Sequence, residues 1–307
     1  MPVRNSQDEL VKEFTDRLMP LLMVGGGADR RTFGFEYEFL SREPIDLTSM
    51  AELFAFLPTC GFVRHGEYFN HDSGVRIGFE PGGQIEYVSP PLTGDERSTF
   101  QRFLELIEET NGRVEQMLGI AYLAVGFIPD RAHSPLCLSS ERYLKLHARM
   151  PECGTRGREM MKGTASVHLH VGIKDPEEML RLFLRLVELS TCEDLRMSPE
   201  RRDIWNNTDP TRCGMPSCNF QELTDSRDLC HELVRFALQA DDIGENVPFM
   251  SLEGITFDGF LSHLTTIFTD IRLNMKGPSL ELRTPDSIPS SEFEEKWDLF
   301  VNELEKV

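Results

Sequence analysis

The chain has no hydrophobic segment long enough to cross a membrane. None of its apolar runs reaches 18 residues, and residues 1–14 are polar, without the apolar centre of a signal peptide. These absences predict a cytoplasmic protein without membrane contact. With 307 residues, 40% of them hydrophobic, the chain is long enough for one large core, and we expect residues 1–307 to form a single domain.

Positive charge is scarce, because 32 Lys and Arg residues stand against 51 Asp and Glu residues, for a net charge of −19. A chain this acidic is not expected to have nucleic acid or an anionic membrane as its main partner. ATP is not excluded, because metal ions and arginines can meet its charge locally. Most of the acids, including those of the helix-like residues 290–307, fit a solvated surface.

Paired cysteines are also absent. The chain has seven cysteines at irregular spacing and no CxxC pair. This pattern favours neither a zinc knuckle nor a disulfide framework, so we interpret the cysteines as reduced packing residues. The Gly25-Gly26-Gly27 run is not followed by GKS or GKT, which favours a flexible connection over a phosphate-binding loop.

Acidic residues on short strands are what the chain does contain. In residues 76–91, Glu80 and Glu86 flank a Pro81-Gly82-Gly83 turn, which predicts a hairpin that brings both acids together. Residues 33–40 alternate, with aromatic side chains on one face and Glu36 and Glu38 on the other. The alternative for this strand is a surface strand with solvated acids.

Two further strands add to the same predicted polar face. Residues 164–173 alternate so that His168 and His170 lie opposite a row of apolar residues, and residues 280–283 place Glu281 and Arg283 on one face. The predicted open face therefore collects Glu36, Glu38, Glu80, Glu86, His168, His170, Glu281 and Arg283.

Five crowded carboxylates repel one another unless cations lie among them. Their oxygen ligands favour magnesium or manganese over zinc, and such a site commonly serves phosphate chemistry. The His-x-His spacing leaves a zinc or iron hydrolase open, and each histidine alone is also compatible with a structural role.

Residues 201–214 are predicted to form a loop that is basic within an acidic protein. Arg201, Arg202 and Arg212 are candidates to hold a substrate carboxylate or phosphates through bidentate contacts. The alternative is an ordinary surface loop with salt bridges.

Strands with one polar face, separated by helices, predict an α+β fold with a mostly antiparallel sheet and helices packed behind it. The predicted helices span residues 8–23, 50–57, 97–118, 141–149, 176–192, 226–239 and 257–268, and residues 120–127 are predicted as an apolar strand. Asp175 and Pro176 mark the start of the fifth of these helices.

Several stretches, in order from residue 31 to residue 288, resemble the glutamate–cysteine ligase superfamily, specifically its plant and proteobacterial branch. They are GFEYEF, FEPGGQIEYVSPPL, YLAVGFIPD, RYLKLHARMP, MMKGTASVHLHVGI, RRDIWNNTDPTRCGMP, SHLTTIFTDIRL and LELRTPD. The resemblance implies a fold related to glutamine synthetase and the guanidino kinases, with a curved antiparallel sheet.

The resemblance also implies chemistry. ATP, with Mg²⁺ or alternatively Mn²⁺, would phosphorylate a carboxylate, with glutamate the expected donor, and an amine, with cysteine expected, would displace the phosphate to give an amide. The implied metal ligands are Glu36, Glu80 and Glu281. Glu38, Glu86 and Arg283 are implied as catalytic residues, and His168, His170, Arg201 and Arg212 as ligand-binding residues.

The chain departs from the family pattern at three places. It ends about 20 residues after LELRTPD, so a homo-oligomer contact or a partner subunit is expected to cover the site. Histidines replace the glutamine and asparagine of the plant-type strand, and Thr-Pro-Asp follows Arg283 where Gly-Ala-Asp is usual. These differences leave open another amine or peptide as acceptor. The alternatives to a ligase are a small-molecule kinase, a His-dependent metallohydrolase and a non-catalytic binding protein.

Overall fold

The computed structural model describes residues 2–22, 30–216, 218–275 and 277–307. Its α-helices are α1 (Pro2–Leu22), α2 (Leu47–Phe56), α3 (Arg97–Leu118), α4 (Glu141–Cys153), α5 (Gly157–Gly163), α6 (Met179–Thr191), α7 (Pro199–Asn206), α8 (Ser226–Gln239), α9 (Phe257–Leu264) and α10 (Ser290–Glu305). None of these helices is both long and apolar enough to span a bilayer.

The strands are β1 (Thr32–Ser41), β2 (Val63–His65), β3 (Tyr68–Asn70), β4 (Arg76–Phe79), β5 (Ile85–Val88), β6 (Leu92–Thr93), β7 (Tyr122–Leu123), β8 (Val167–Gly172), β9 (Cys213–Gly214), β10 (Phe268–Thr269), β11 (Ile271–Asn274) and β12 (Ser279–Leu282). Most of them form one open antiparallel sheet in the order β11-β12-β8-β1-β5-β4-β3-β2, in which β6 and β7 also pair with β1. The described residues therefore form an α+β fold, as the sequence predicts.

The apolar face of the sheet packs against α3 and α10. Phe35 on β1 makes edge contacts with Phe100 of α3 and Trp297 of α10, at ring-centroid distances of 5.6 and 5.8 Å. Phe100 and Trp297 stack on each other at 4.6 Å. Because side chains alternate along a strand, covering this face with helices leaves Glu36 and Glu38 on the opposite face.

A second, smaller apolar cluster lies beside the polar face of the sheet. It joins α4, α5 and α7 through residues that include Leu146, Met150, Met160, Met161 and Trp205. These residues also line a cleft above the acids, so this cluster supports one wall of the candidate site.

Several predicted elements are confirmed. The β4–β5 hairpin, α3 and α8 have the predicted bounds. The Asp175 side chain accepts a hydrogen bond from the backbone N–H of Glu177, although the first turn that it caps is a 3₁₀ turn and α6 begins at Met179. The Gly25-Gly26-Gly27 run lies outside the described residues.

Three predictions of local structure are wrong. Only Tyr122–Leu123 of residues 120–127 forms a strand, because β1 offers just Leu40 and Ser41 as partners there. Residues 201–214 are not simply a loop, since α7 covers Pro199–Asn206. The helix predicted for 257–268 ends at Leu264.

A local signal at the start of α7 explains why residues 201–206 are helical and do not form the predicted loop. The Ser198 side chain accepts a hydrogen bond from the backbone N–H of Arg201, and proline occupies the first helical position. Arg201 on this helix and Arg212 after it are both completely buried instead of lying on a surface loop.

Candidate active site

The polar face of the sheet brings the predicted acids together. Glu38 on β1 lies directly opposite Glu86 on β5, and Glu36 lies opposite His168 on β8. One strand further, Glu281 on β12 lies opposite His170. This face forms the floor of a cleft of about 650 Å³. The residues that line the cleft include Glu36, Glu38, Glu80, Glu86, His168 and Arg283.

Three of the acids form a group in which only Glu38 has close hydrogen-bond partners, namely the backbone N–H and hydroxyl of Ser166. Glu38, Glu80 and Glu86 each offer an oxygen atom, and these atoms lie within 4.8 Å of one another. Among the described residues, no hydrogen bond or ion pair reaches the carboxylates of Glu80 and Glu86. Burial, followed by the charge of Glu38, raises the pKa of Glu80 to about 8. Burial and the charge of Glu36 raise the pKa of Glu86 well above its usual range.

Glu281, by contrast, is fully compensated. Its Oε2 lies 2.7 Å from Nη2 of Arg272, and its Oε1 accepts a hydrogen bond from Arg283. Burial alone would favour the protonated acid, but the two guanidinium groups outweigh burial and lower the pKa of Glu281 to about 2.

Glu36 is compensated by histidine. Nδ1 of His168 lies 2.8 Å from Glu36 Oε2, and Nε2 of His170 lies 3.4 Å from Glu36 Oε1, too poorly aligned for a good hydrogen bond. Burial of Glu36 opposes ionisation, but the contacts with His168 and His170 hold its pKa well below its usual range.

Both ring nitrogens of His168 are engaged. Its Nε2 lies 2.7 Å from Ser166 Oγ, and Ser166 donates its backbone N–H and its hydroxyl to Glu38 Oε2 at 2.7 and 2.8 Å. Glu36, His168, Ser166 and Glu38 thus form one hydrogen-bonded row. A metal ion bound by His168 would have to displace one of these contacts.

The donor chemistry of the group formed by Glu38, Glu80 and Glu86 fits a hard divalent cation. Glu38, Glu80 and Glu86 supply only carboxylate oxygens, which Mg²⁺ and Mn²⁺ prefer. The predicted metal ligands Glu36, Glu80 and Glu281 fall into different groups, since Glu36 and Glu281 gather with His170. Because those two acids already contact cationic side chains, the structure favours the group around Glu80.

Arg201 and Arg212 are not among the cleft-lining residues. Arg201 donates to the backbone carbonyls of Arg283 and Pro285, at 2.6 and 2.9 Å. Arg212 donates to Asp209 Oδ2 at 2.7 Å and to Thr266. The geometry therefore gives both arginines supporting positions behind the cleft. The third arginine of this segment, Arg202, pairs with Asp270.

The structure adds residues to which the sequence analysis gave no role. Arg272, Arg142, Tyr143 and Ser166 all line the cleft. The register of β11 against β12 places Arg272 directly opposite Glu281, a relationship that the short IRLN segment does not reveal by itself. Ser166 lies in the alternating strand pattern next to His168, and that pattern could have identified it.

Comparison with known proteins identifies the family. Residues 32–191 match the sequence profile of glutamate–cysteine ligase family 2, which is 160 of the 307 residues. The match covers more than half of the chain, and the protein therefore belongs to this family.

Individual relatives are more distant. The chain is 26% identical to glutamate–cysteine ligase A, chloroplastic, of Oryza sativa subsp. indica over 310 residues, covering 86% of this chain and 59% of the relative. It is 28% identical to the chloroplastic glutamate–cysteine ligase of Medicago truncatula over 255 residues, covering 69% and 47%. The Arabidopsis thaliana enzyme is 26% identical over 319 residues, covering 86% and 56%. The chain thus spans about half the length of these relatives.

Proposed function

We propose that this protein is an ATP- and magnesium-dependent carboxylate–amine ligase, with glutamate as donor and cysteine as the first acceptor to test. One observation carries the proposal: a cluster of three carboxylates, Glu38, Glu80 and Glu86, faces a cleft that also contains Arg142 and Arg283. Family membership supports the choice of reaction. The cytoplasmic location and a homo-oligomer or partner subunit remain predictions.

The reaction has two steps. A carboxylate oxygen of the donor takes the γ-phosphoryl group of ATP, and ADP leaves with the electrons of the broken P–O bond. The amine nitrogen of the acceptor then attacks the acyl carbon, phosphate leaves with the bridging oxygen, and the nitrogen loses a proton. The products are an amide, ADP, phosphate and one proton.

The carboxylates would hold the metal ion, and arginines would contact the substrates. Glu38, Glu80 and Glu86 are the residues that would bind Mg²⁺, which neutralises charge on the transferring phosphoryl group when it is bound. Arg283 has a raised pKa, because its attraction to Glu281 outweighs its burial, and so it stays cationic in the cleft. Arg142 has no carboxylate partner among the described residues, which leaves its charge available to an anionic substrate.

The histidine-dependent hydrolase receives less support from this geometry. Both nitrogens of His168 already have partners, in Glu36 and Ser166. A catalytic zinc ion needs ligands with free lone pairs and an open coordination position. The carboxylates of Glu80 and Glu86 meet the requirement for free ligands better than His168 does.

The test measures phosphate release from ATP and Mg²⁺ with glutamate and cysteine, followed by mass spectrometry of the products. We expect a product with the mass of glutamate plus cysteine minus water. Glu80→Gln should abolish turnover while the protein stays folded, and Glu67→Gln, at an exposed turn, is the matched control. A phosphorylated carboxylate without amide would favour a kinase. Full activity of the Glu80 variant would contradict the metal assignment.

A further inference from the structure

Arg201 helps to fix the segment following β12, which also forms backbone hydrogen bonds with Asp270 and Val167. It is completely buried, and its two terminal nitrogens donate to three acceptors on residues 283–286. Nη2 reaches the carbonyl oxygen of Arg283 at 2.6 Å, and Nη1 reaches the carbonyl oxygen of Pro285 at 2.9 Å and Asp286 Oδ1 at 2.7 Å. This fork-shaped contact suits a guanidinium group and not an ammonium group.

The segment that Arg201 holds connects directly to the candidate site. Arg283, at its start, lines the cleft and contacts Glu281. Ser287, just after the segment, donates its hydroxyl to the carbonyl oxygen of Glu38. Arg201 therefore lies behind a stretch of backbone that links a cleft arginine to a cleft carboxylate.

Arg201 also packs against a residue that lines the cleft. Its guanidinium carbon lies 5.5 Å from the ring centre of Trp205, which lines the cleft and donates to the carbonyl of Phe268 at 3.1 Å. Asp286, the carboxylate partner of Arg201, accepts a hydrogen bond from the backbone N–H of Ser198 at the start of α7. Helix α7 and the segment after β12 are thus joined by these hydrogen bonds and by the ion pair between Arg201 and the partly buried Asp286.

We propose that Arg201 is a positioning residue that acts through Arg283: by fixing the backbone at residues 283–286, it holds the Arg283 guanidinium where an anionic substrate in the cleft can reach it. The inference rests on the proposed function, because it takes the phosphate groups of ATP as the anion. The family resemblance implies that Arg201 contacts the ligand directly. In this proposal, Arg201 acts on the ligand only through Arg283.

A double-mutant cycle tests this. The dissociation constant of Mg²⁺–ATP is measured by calorimetry for the wild type, Arg201→Lys, Arg283→Met and the double variant. We expect Arg201→Lys to weaken binding by about tenfold, within the range of coupled neighbours. In the Arg283→Met background, Arg201→Lys should have almost no further effect, because the group that it positions is gone.

Arg212→Lys is the matched control, since Arg212 is equally buried but contacts Asp209 and Thr266 instead of residues 283–286. Its effect on binding should add to that of Arg283→Met. If Arg201→Lys does not fold, Asp286→Asn, which weakens the same ion pair, should show the same non-additivity with Arg283→Met.

The outcomes separate the two proposals. Additive losses for Arg201→Lys and Arg283→Met would overturn the positioning role and leave the ligase proposal intact. No binding of Mg²⁺–ATP to the wild type would instead count against the proposed function. Non-additivity with Arg201 and additivity with Arg212 would establish the positioning role.

Discussion

Glu38 and Glu86 face each other as directly paired residues of neighbouring antiparallel strands, with no cationic side chain between them among the described residues. Like charges at directly opposed positions destabilise a sheet by about 0.2–1 kcal/mol. The protein keeps this unfavourable pair at the floor of its cleft, next to Glu80. Such an arrangement is stable when a cation is shared among the three acids.

Replacing Glu86 should therefore separate folding from metal binding. We expect Glu86→Gln to raise the free energy of unfolding in EDTA at pH 7 by about 1 kcal/mol or more, because the buried carboxyl group must take up a proton on folding, whereas an amide of the same size need not. The same variant should lose the rise in melting temperature that Mg²⁺ gives the wild type. Thermal unfolding with EDTA or Mg²⁺ measures both effects. Glu67→Gln, at an exposed turn, should behave as the wild type, and an unchanged response of Glu86→Gln to Mg²⁺ would contradict the assignment.

The stability of the metal-free protein should fall as the pH rises. The pKa of Glu80 is about 8 in the folded chain against a usual value of 4.5, so the folded state binds more protons than the unfolded state between these values. The contribution of Glu80 to the free energy of unfolding is fully present below pH 4.5. It is lost as the pH rises from there through 8, by up to about 1.4 kcal/mol per pH unit. The raised pKa values of Glu86 and His170 act in the same direction.

Denaturant unfolding in EDTA from pH 5 to pH 9 measures this slope. Glu80→Gln should flatten it, and Mg²⁺ should reduce it in the wild type, because a bound cation favours the ionised carboxylate. Glu281 does not contribute here, since its pKa is about 2 and it is ionised in both states across this range. A slope that is the same with and without Glu80 would show that this acid ionises normally.

The sequence predicts the residues on the polar face of the sheet much better than the contacts that support the cleft from behind. Alternation along residues 33–40 and 164–173 determines which side chains share a face, and the hairpin turn brings Glu80 and Glu86 together, so these residues follow from local pattern. The positions of Arg201 on α7 and of Arg212 after it depend instead on contacts with distant residues, Asp286 for Arg201 and Thr266 for Arg212. No local pattern contains that information.

The register between strands is equally difficult to predict from local sequence patterns. Arg272 compensates Glu281 only because β11 pairs with β12 in a particular register. The sequence alone grouped Glu281 with the free acids for this reason. The start of α7 is a different case, because Ser198 and Pro199 form a local signal that does indicate a helix start.

The buried contact between Arg212 and Asp209 should contribute mainly to stability. Asp209 also accepts from Arg149 Nε at 2.9 Å, and all three side chains are almost completely buried. Asp209→Asn removes one charge and leaves two buried guanidinium groups poorly compensated, so we expect a loss of about 3–5 kcal/mol in the free energy of unfolding. Urea unfolding at pH 7 measures this. Asp72→Asn, at an exposed turn, should change stability by no more than about 0.5 kcal/mol, and a comparable value for Asp209→Asn would contradict the prediction.

Gly78 provides the last prediction, because it lies opposite Glu86 on the neighbouring strand β4. A Cβ atom at this position would lie 2.9 Å from Glu86 Oε2, which is too close, so the carboxylate would have to move. The end of a flexible side chain can move without unfolding the sheet, and we expect Gly78→Ala to fold with a stability change of about 1 kcal/mol or less. The displaced carboxylate should weaken Mn²⁺ binding severalfold, as measured by electron paramagnetic resonance of free Mn²⁺.

Gly112→Ala is the control for that substitution. Gly112 lies within α3, and an added Cβ there meets nothing within 4 Å. This variant should gain about 0.5–1 kcal/mol from helix propensity and bind Mn²⁺ as the wild type does. If Gly78→Ala also bound Mn²⁺ with unchanged affinity, Glu86 would not be a ligand. The metal-binding residues would then be expected to include Glu36 and Glu281.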